Sequence, residues 1–363
     1  MKQIRIYLIL TAALLPLLWA CNDPIPCDEY KLHKVTISLA TSIAPGTRTS
    51  QPAPCLTTHS ELRTQNYPAT RNTHHATLLA TRALGVEEET RINSVQLYIF
   101  NNEGTLTQRI TGIRDEYEVI LPDGCCTFYC FVNAPELPVA PSSSEELLKC
   151  ESFLWNNSRG SFQMTGSATA DIDSDMELEI VVQRMVAKVE CIVRTEFGNS
   201  HLAEMPFTLH RIYLTNVTGK NNYALTAMQG DEGLWYNKME YQQSSCDNLI
   251  CGSLIDRRMN NKDSLAIDDS LYPYPNSNTD CFDLTTWSAR KTRLVIEATL
   301  GEKLWYYPVT MEETLSNTHY LYDITITREG VSHPEEPVTE PGTLITKIKI
   351  NEWNEGGEID DDV

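Results

Sequence analysis

Helical periodicity is nearly absent from this chain, and so are the short motifs that mark catalysis. Only the stretch from Ser143 to Leu154 reads as a helix, with Ser143 placed to cap it and Glu145 and Glu146 in its first turn. No HExxH, GxSxG, Walker A or GxGxxG context occurs. Gly160 and Gly166 read as isolated turn glycines. The histidines give no constellation: His74-His75 lies in a polar stretch without a nearby cysteine, and His210 and His319 sit beside strands, where packed or solvated imidazoles are common. Paired carboxylates abound in any acidic protein and do not indicate glycoside hydrolysis. The chain is therefore not expected to be an enzyme, and no cofactor is implied.

Positive charge is scarce. There are 29 Lys and Arg against 49 Asp and Glu, for a formal net charge of −20, with acidic clusters at Glu87-Glu88-Glu89 and Asp360-Asp361-Asp362. Phosphate contacts need Lys and Arg, so a nucleic-acid partner is excluded. A self-repelling acidic surface suits a protein exposed to the medium. Metal-type cysteine spacing is also missing. Cys125-Cys126-x3-Cys130 and Cys246-x4-Cys251 are the close groups, and neither offers zinc-ligand pairs. No metal site is expected.

Long apolar runs are confined to one place, the start of the chain. Lys2 and Arg5 precede an apolar stretch from Ile6 to Leu18, the length of a signal-peptide core and short of the roughly 20 residues of a membrane span. It ends in Leu18-Trp19-Ala20-Cys21, the pattern of a lipobox: small Ala20 fits the signal peptidase and the Cys21 thiol receives the lipid. Residues 1–20 are read as a lipoprotein signal peptide and Cys21 as the lipidation site. More than one acyl chain holds a protein stably at a membrane. Of the eleven cysteines, ten remain after Cys21 is lipidated, an even number in an exported chain. Some disulfides are expected, with the pairing open; adjacent Cys125 and Cys126 are not expected to bond to each other within one strand.

What is present in quantity is strand signal. Alternation with β-branched and aromatic residues recurs at 34–39, 94–100, 116–121, 177–182, 187–193, 211–214, 293–298, 322–326 and 344–350. Repeated short strands without intervening helices read as β-sandwiches. The polar segment from Ile43 to Thr81 reads as a leader or long loop, and Gly330 to Gly342, with Pro334, Pro337 and Pro341, as a stiff linker before one last strand. The expected organisation is a leader over 21–82, an amino-terminal sandwich over 83–183 and a carboxy-terminal sandwich over 184–363. Trp235, Trp287, Trp305 and Trp353 suit a sandwich core better than a sugar-binding face; the latter defines the alternative reading, a surface glycan-binding lipoprotein.

Several of these pieces, in order, resemble the Bacteroides-group fimbrillins, the type V pilins. They are Thr81-Arg82-Ala83 with the acidic stretch behind it, Ile92 to Asn101 with Gly104, Leu121-Pro122-x-Gly124 ahead of Tyr129-x3-Asn133-Ala134, and Phe162-x-Met164-x-Gly166. Val182-x-Arg184-x-Val186-Ala187-Lys188-Val189, Asn317-x2-Tyr320-x3-Ile324-x-Ile326 and the terminal Ile350-x2-Trp353 complete the pattern, from about residue 80 to the end. The resemblance implies two transthyretin-like β-sandwich domains in an all-β chain and a structural subunit of surface fimbriae that supports adhesion. It implies a lipoprotein precursor held at the outer membrane through Cys21; acidic Asp23, Asp28 and Glu29 resemble the surface-export signal of that group. It further implies cutting between Arg82 and Ala83 by an arginine-specific protease, and assembly with other fimbrial subunits by strand exchange. By the same resemblance, 35–39 is the self-complementing strand. Leu344, Ile345, Ile348 and Ile350 are read as the polymerisation strand that fills a neighbour's groove. The long leader, the cysteines and the Cys21-x5-Cys27 start point to an accessory, tip or anchor subunit.

Overall fold

The computed structural model describes residues 31–41, 88–225, 230–231, 233–340 and 342–353. Within them the protein is all-β, with nineteen strands and two short α-helices. The amino-terminal part contains β1 (Leu32–Thr41), β2 (Val95–Phe100), β3 (Leu106–Thr111), β4 (Tyr117–Pro122), β5 (Gly124–Val132), α1 (Ser144–Lys149), β6 (Glu151–Phe153), β7 (Met164–Ile172) and β8 (Met176–Arg184). Seven of the strands form one sheet in the order β3-β2-β5-β7-β8-β1-β4.

That sheet is folded over on itself. β7 pairs with β5 along its length but with β8 only at Met164↔Arg184 and Thr165↔Gln183. The β7–β8 hairpin therefore splays, and the halves β3-β2-β5-β7 and β8-β1-β4 face each other as two layers. Between them lie Val95, Leu97 and Ile99 of β2, Phe128 and Cys130 of β5, Ile180 and Val182 of β8, and Tyr117, Val119 and Leu121 of β4. Gly166 stands at the fold line within β7: a Cβ there would lie 2.3 Å from the Val181 carbonyl oxygen. It is a close-approach glycine and not the turn glycine its sequence context indicates.

The segment from Ser143 to Leu154 is helical only to Lys149. Ser143 caps as expected, its Oγ accepting from the Glu146 amide at 3.2 Å. The chain then turns extended at Cys150, and β6 pairs with β12 (Lys220–Asn222), placing Ser152 opposite Asn221. Ser152 is fully buried and hydrogen-bonds Tyr274 Oη at 2.7 Å and Gln163 Oε1 at 2.8 Å. A continued helix would forfeit that ladder and strand these polar groups, so tertiary pairing overrides the local periodicity.

The carboxy-terminal part adds β9 (Lys188–Thr195), β10 (Phe207–Thr215), β11 (Val217–Thr218), β12, β13 (Trp235–Tyr236), α2 (Asp247–Ile250), β14 (Arg257–Met259) and β15 (Ser264–Ala266). It ends with β16 (Arg293–Leu300), β17 (Lys303–Thr310), β18 (Thr318–Ile326) and β19 (Leu344–Glu352). Two four-stranded sheets, β14-β10-β16-β17 and β15-β9-β18-β19, enclose a second core. Val189 and Val193 of β9 and Tyr322, Ile324 and Ile326 of β18 pack in one cluster with Leu209, Ile212 and Leu214 of β10 and Leu294 and Ile296 of β16. The outer face of β2 and β5 joins this cluster through Tyr98, Phe100, Tyr129 and Phe131, which explains why all six residues of β2 are buried.

The segment read as a linker is built into the fold. Val331 and Tyr306 exchange backbone hydrogen bonds, and Glu335 is fully buried between two buried arginines. Its Oε2 accepts from Arg290 Nη1 at 3.2 Å and from Arg293 Nη1; its Oε1 accepts from Asn216 Nδ2 at 2.7 Å and Thr215 Oγ1 at 3.1 Å. Burial of a carboxylate at this depth requires such pairing, so the chain is fixed up to about Glu335. Beyond it Gly342 takes φ +81°, and the Thr327 amide donates to the Thr343 carbonyl at 3.1 Å as the chain enters β19.

Candidate functional site

The two strands read from the sequence as the self-complementing and the polymerisation strand are placed in opposite ways. β1 lies between two neighbours. It runs parallel to β8 from Val35↔Met176 to Thr41↔Val182 and antiparallel to β4 from Leu32↔Pro122 to Ile37↔Tyr117. Val35 and Ile37 are fully buried in the sandwich core, and Leu39 packs against it. Polar contacts fix the register: Lys34 Nζ reaches Glu118 Oε1 at 2.5 Å, the Lys34 amide donates to Asp175 Oδ1 at 2.8 Å, and His33 Nε2 pairs with Asp123 Oδ1 at 2.5 Å. The Lys34 ammonium is pushed up by its hydrogen bond to Glu118. Without β1, β4 and β8 would face each other across a strand-wide groove with apolar side chains along its floor.

β19 is an edge strand. It pairs antiparallel with β18 from Thr318↔Glu352 to Ile326↔Leu344 and has no partner among the described strands on its other side. Of the four residues read as the polymerisation strand, Leu344 is partly buried on the second core, while Ile345, Ile348 and Ile350 are 49%, 42% and 64% exposed. An open edge carrying three solvated isoleucines is a template for another chain.

The far end of β19 is pinned. Trp353 is 3% exposed, stacks on Tyr272 with ring centroids 5.7 Å apart, meets Phe162 edge-on and lies under the Arg184 guanidinium at 4.5 Å. Its Nε1 donates to Glu89 Oε2 at 2.9 Å. Glu89, 6% exposed, also accepts from Tyr272 Oη at 2.7 Å and pairs with Lys188 Nζ at 2.9 Å. Arg184 ties the set together, donating to the Glu89 carbonyl at 3.0 Å and to Asn317 Oδ1 and the Trp353 carbonyl at 3.4 Å. Sequence reading missed Glu89 because it stands in an acidic run, which is ordinarily solvated.

The pieces on which the resemblance rests thus meet in space. Arg184, Lys188, Asn317 and Trp353 form the junction just described. Asn133, with φ +56°, closes the neighbouring turn by accepting from the Asn93 amide at 2.7 Å and donating to the Arg91 and Phe162 carbonyls at 2.8 and 2.9 Å. Cys21, Arg82 and Ala83 lie outside the described residues.

The remaining candidate side chains are engaged by neighbours within the fold. His319 Nε2 lies 3.0 Å from Glu190 Oε2. Burial alone would raise the Glu190 carboxyl, but His319 and Lys188 hold it well below the ordinary carboxylate range. His210 bridges Asp256 and Thr299 at 2.6 and 2.7 Å on the face of β10. This has the hydrogen-bond order of a hydrolase triad, but the two concavities described lie elsewhere, lined by Arg211, Tyr241 and Asp247 and by Glu240, Glu297 and Tyr306. Trp235 and Trp353 are buried, and Trp235 packs edge-on with Trp287, so these aromatics do not line one exposed face. Among the described residues no group of His, Cys, Asp and Glu is arranged to hold a metal ion. No described helix is long and apolar enough to cross a membrane. Cys125 is disulfide-bonded, whereas Cys126 and Cys130 are free thiols, with burial pushing Cys130 up to about 12.

No protein-family model matches the sequence, and no curated protein does. Solved structures do match over nearly the whole chain. A fimbrilin from Porphyromonas gingivalis superposes with a TM-score of 0.54 at 13% identity, covering 90% of this chain and 99% of its own. The chain has the fimbrilin fold. Two cell-adhesion candidates, from Bacteroides eggerthii and Parabacteroides distasonis, superpose with TM-scores of 0.58 at 14% and 16% identity, covering 89% and 90% of this chain and 97% and 98% of theirs. The fold likeness thus extends over about nine-tenths of the chain.

Proposed function

We propose that this protein is a structural subunit of a bacterial surface fimbrium, built to join neighbouring subunits by exchanging strands. The observation that carries the reading is β1. A strand separated in sequence from the rest of its sheet completes the amino-terminal sandwich from inside, between β4 and β8, and its register is one that another chain's strand can adopt. The open edge and exposed isoleucines of β19 supply the complementary element. Burying an apolar side chain of this size is worth roughly 1.5–3 kcal/mol, so a few of them with a backbone ladder hold a joint between subunits. The fimbrilin fold supports this reading over an enzymatic one. On the same reading the chain is exported as an outer-membrane lipoprotein acylated at Cys21 and exposed at the cell surface. An arginine-specific protease cuts between Arg82 and Ala83, in a stretch whose polar composition suits proteolysis.

The test leaves Trp353 in place, because it belongs to the core. Replacing Ile345, Ile348 and Ile350 together by Ser should leave an exported monomer of nearly unchanged thermal stability that no longer joins fibres, measured by immunogold labelling and shear-release of surface material. Incorporation at the wild-type level would contradict the role given to β19.

A further inference from the structure

We infer that the outer face of the carboxy-terminal sandwich holds a pocket for an organic cation, an alkylammonium or guanidinium group. Neither β1 nor β19 lines it, and it stands whether or not the chain exchanges strands.

Alternation along the strands supplies the floor. Ile212, Leu214, Ile296, Ala298 and Tyr307 belong to the second core. Their neighbours Tyr213 of β10, Glu297 of β16 and Tyr306 of β17 therefore point outward, with Glu297 directly opposite Tyr306 in the ladder. Two segments close over this face. One brings Glu240 and Tyr241. The other brings His333 and Pro334 beside Tyr306, held by the hydrogen bonds between Val331 and Tyr306 and by buried Glu335. The cavity they enclose is about 200 Å³, below the roughly 300–1,000 Å³ of sites for drug-sized ligands. It has room for one side chain.

The lining is aromatic and negative. Tyr213 is 1% exposed, and among the described residues its hydroxyl has no hydrogen-bond partner. A polar group this buried is ordinarily satisfied, and this one lines the cavity. Glu297 is half-buried, and among the described residues neither it nor Glu240 has a hydrogen-bond or ion-pair partner. Arg211 stands opposite Glu297 in the β10–β16 ladder, but its guanidinium turns to the Tyr241 ring, 4.3 Å from the centroid, and no ion pair forms. His333 adds no fixed positive charge, because its Nδ1 accepts from the Glu335 amide at 3.1 Å. Burial raises the Tyr213 and Tyr306 hydroxyls, and the charge of Glu297 raises them further, so the field of that carboxylate falls on the pocket.

A cation gains three contacts here: two unneutralised carboxylates, the faces of tyrosine rings and the Tyr213 oxygen as an acceptor for N–H. Arg211 already makes, from the neighbouring concavity, the ring contact that the ligand makes from this one. An anion is repelled, and a neutral sugar leaves both carboxylates uncompensated. The Tyr213 and Tyr241 rings are inclined at 56° with centroids 5.5 Å apart, which surrounds a compact group and offers no flat platform to a sugar ring. Tyr241 is set before the ligand arrives, its Oη donating to Asp247 Oδ2 at 3.1 Å, so binding orders little. The cation has two sources, a lysine or arginine side chain on a basic partner or a free polyamine.

Isothermal titration calorimetry of the full-length protein tests the pocket with Nα-acetyl-lysine methylamide, Nα-acetyl-arginine methylamide, putrescine and, as a neutral comparison, methyl glucoside. At least one of the cations should bind, and more weakly as salt rises from about 50 to about 500 mM. Its affinity should fall about tenfold or more in Glu297→Gln, which loses a charge-assisted contact, and about threefold in Tyr213→Phe, which loses a neutral one. Thermal midpoints establish that the variants fold, and Glu240→Gln repeats the charge test at an exposed position. Preference for the blocked amino acids assigns the pocket to a partner's side chain; preference for putrescine assigns it to a free polyamine. Binding of no cation, or equal binding by the wild type and both Gln variants, would overturn the site. Binding of methyl glucoside that depends on Glu297 would overturn the ligand class. None of these readouts involves a fibre, so the pocket and the fimbrial reading fail separately.

Discussion

β1 and β19 are both amphipathic strands near an end of the chain, and both pair antiparallel with a neighbour, yet the fold treats them differently. β1 is hydrogen-bonded along both edges and sinks Val35 and Ile37 completely. β19 is bonded along one edge and leaves Ile345, Ile348 and Ile350 in solvent. In the second sandwich the interior position equivalent to that of β1 is held by β18, parallel to β9 on one side and antiparallel to β19 on the other. The difference teaches that packing is concentrated in β1, bonded on both edges, while β19 keeps one edge and three isoleucines open. Only Trp353 at the tip of β19 is deeply engaged.

The largest effect expected concerns what precedes β19. Glu335→Ala leaves Arg290 buried without a carboxylate and Arg293 with Asp280 alone, and breaking such an arrangement costs roughly 3–5 kcal/mol. Denaturant unfolding should report a loss of that order in the whole carboxy-terminal sandwich. A loss under about 1 kcal/mol would mean the segment before β19 is not anchored, and that β19 can draw more of the chain away with it.

The comparison is sharpened by paired truncations. Ile37→Ala should cost about 2–5 kcal/mol, the range for a buried isoleucine. Ile348→Ala, on the exposed edge, should stay within about 0.5 kcal/mol. Urea titrations of the two variants and the parent decide it; similar losses would erase the distinction between the strands.

A smaller effect separates β18 and β9 from the surface. The Glu190 carboxyl is depressed in the folded protein by His319 and Lys188. A depressed carboxylate contributes stability above its unfolded pKa and loses it as pH falls through the folded value. Stability should therefore decline in acid from about pH 4.5 downward. Glu190→Gln should lack that share of the acid slope, read from thermal midpoints across the acid range. An unchanged slope would show that the pair does not couple to folding.

Much of this was legible in the residues. The strand at 34–39 is visible as alternation because one face meets a core, and the one at 94–100 as a β-branched and aromatic run because both faces do. The edge status of β19 is implied by Lys347 and Lys349 between its isoleucines. Three things were not legible. The helix after Ser143 ends early because β12, far along the chain, offers a ladder. Glu335 and Glu89 look like solvated acids, since nothing local announces the arginines or the Trp353 indole that bury them. The parallel pairing of β1 with β8 joins residues about 140 positions apart, as in Val35↔Met176, and sequence pattern carries no register at that range.

Amide hydrogen exchange of the free, full-length protein tests the central contrast most directly. The account predicts that amides of β1 over 33–40 exchange only through global unfolding, while those of β19 over 345–350 exchange at least tenfold faster through local opening of the edge. Equal protection of the two strands would contradict it, and would make β19 an integral strand of its own sandwich and not the element offered to a neighbour.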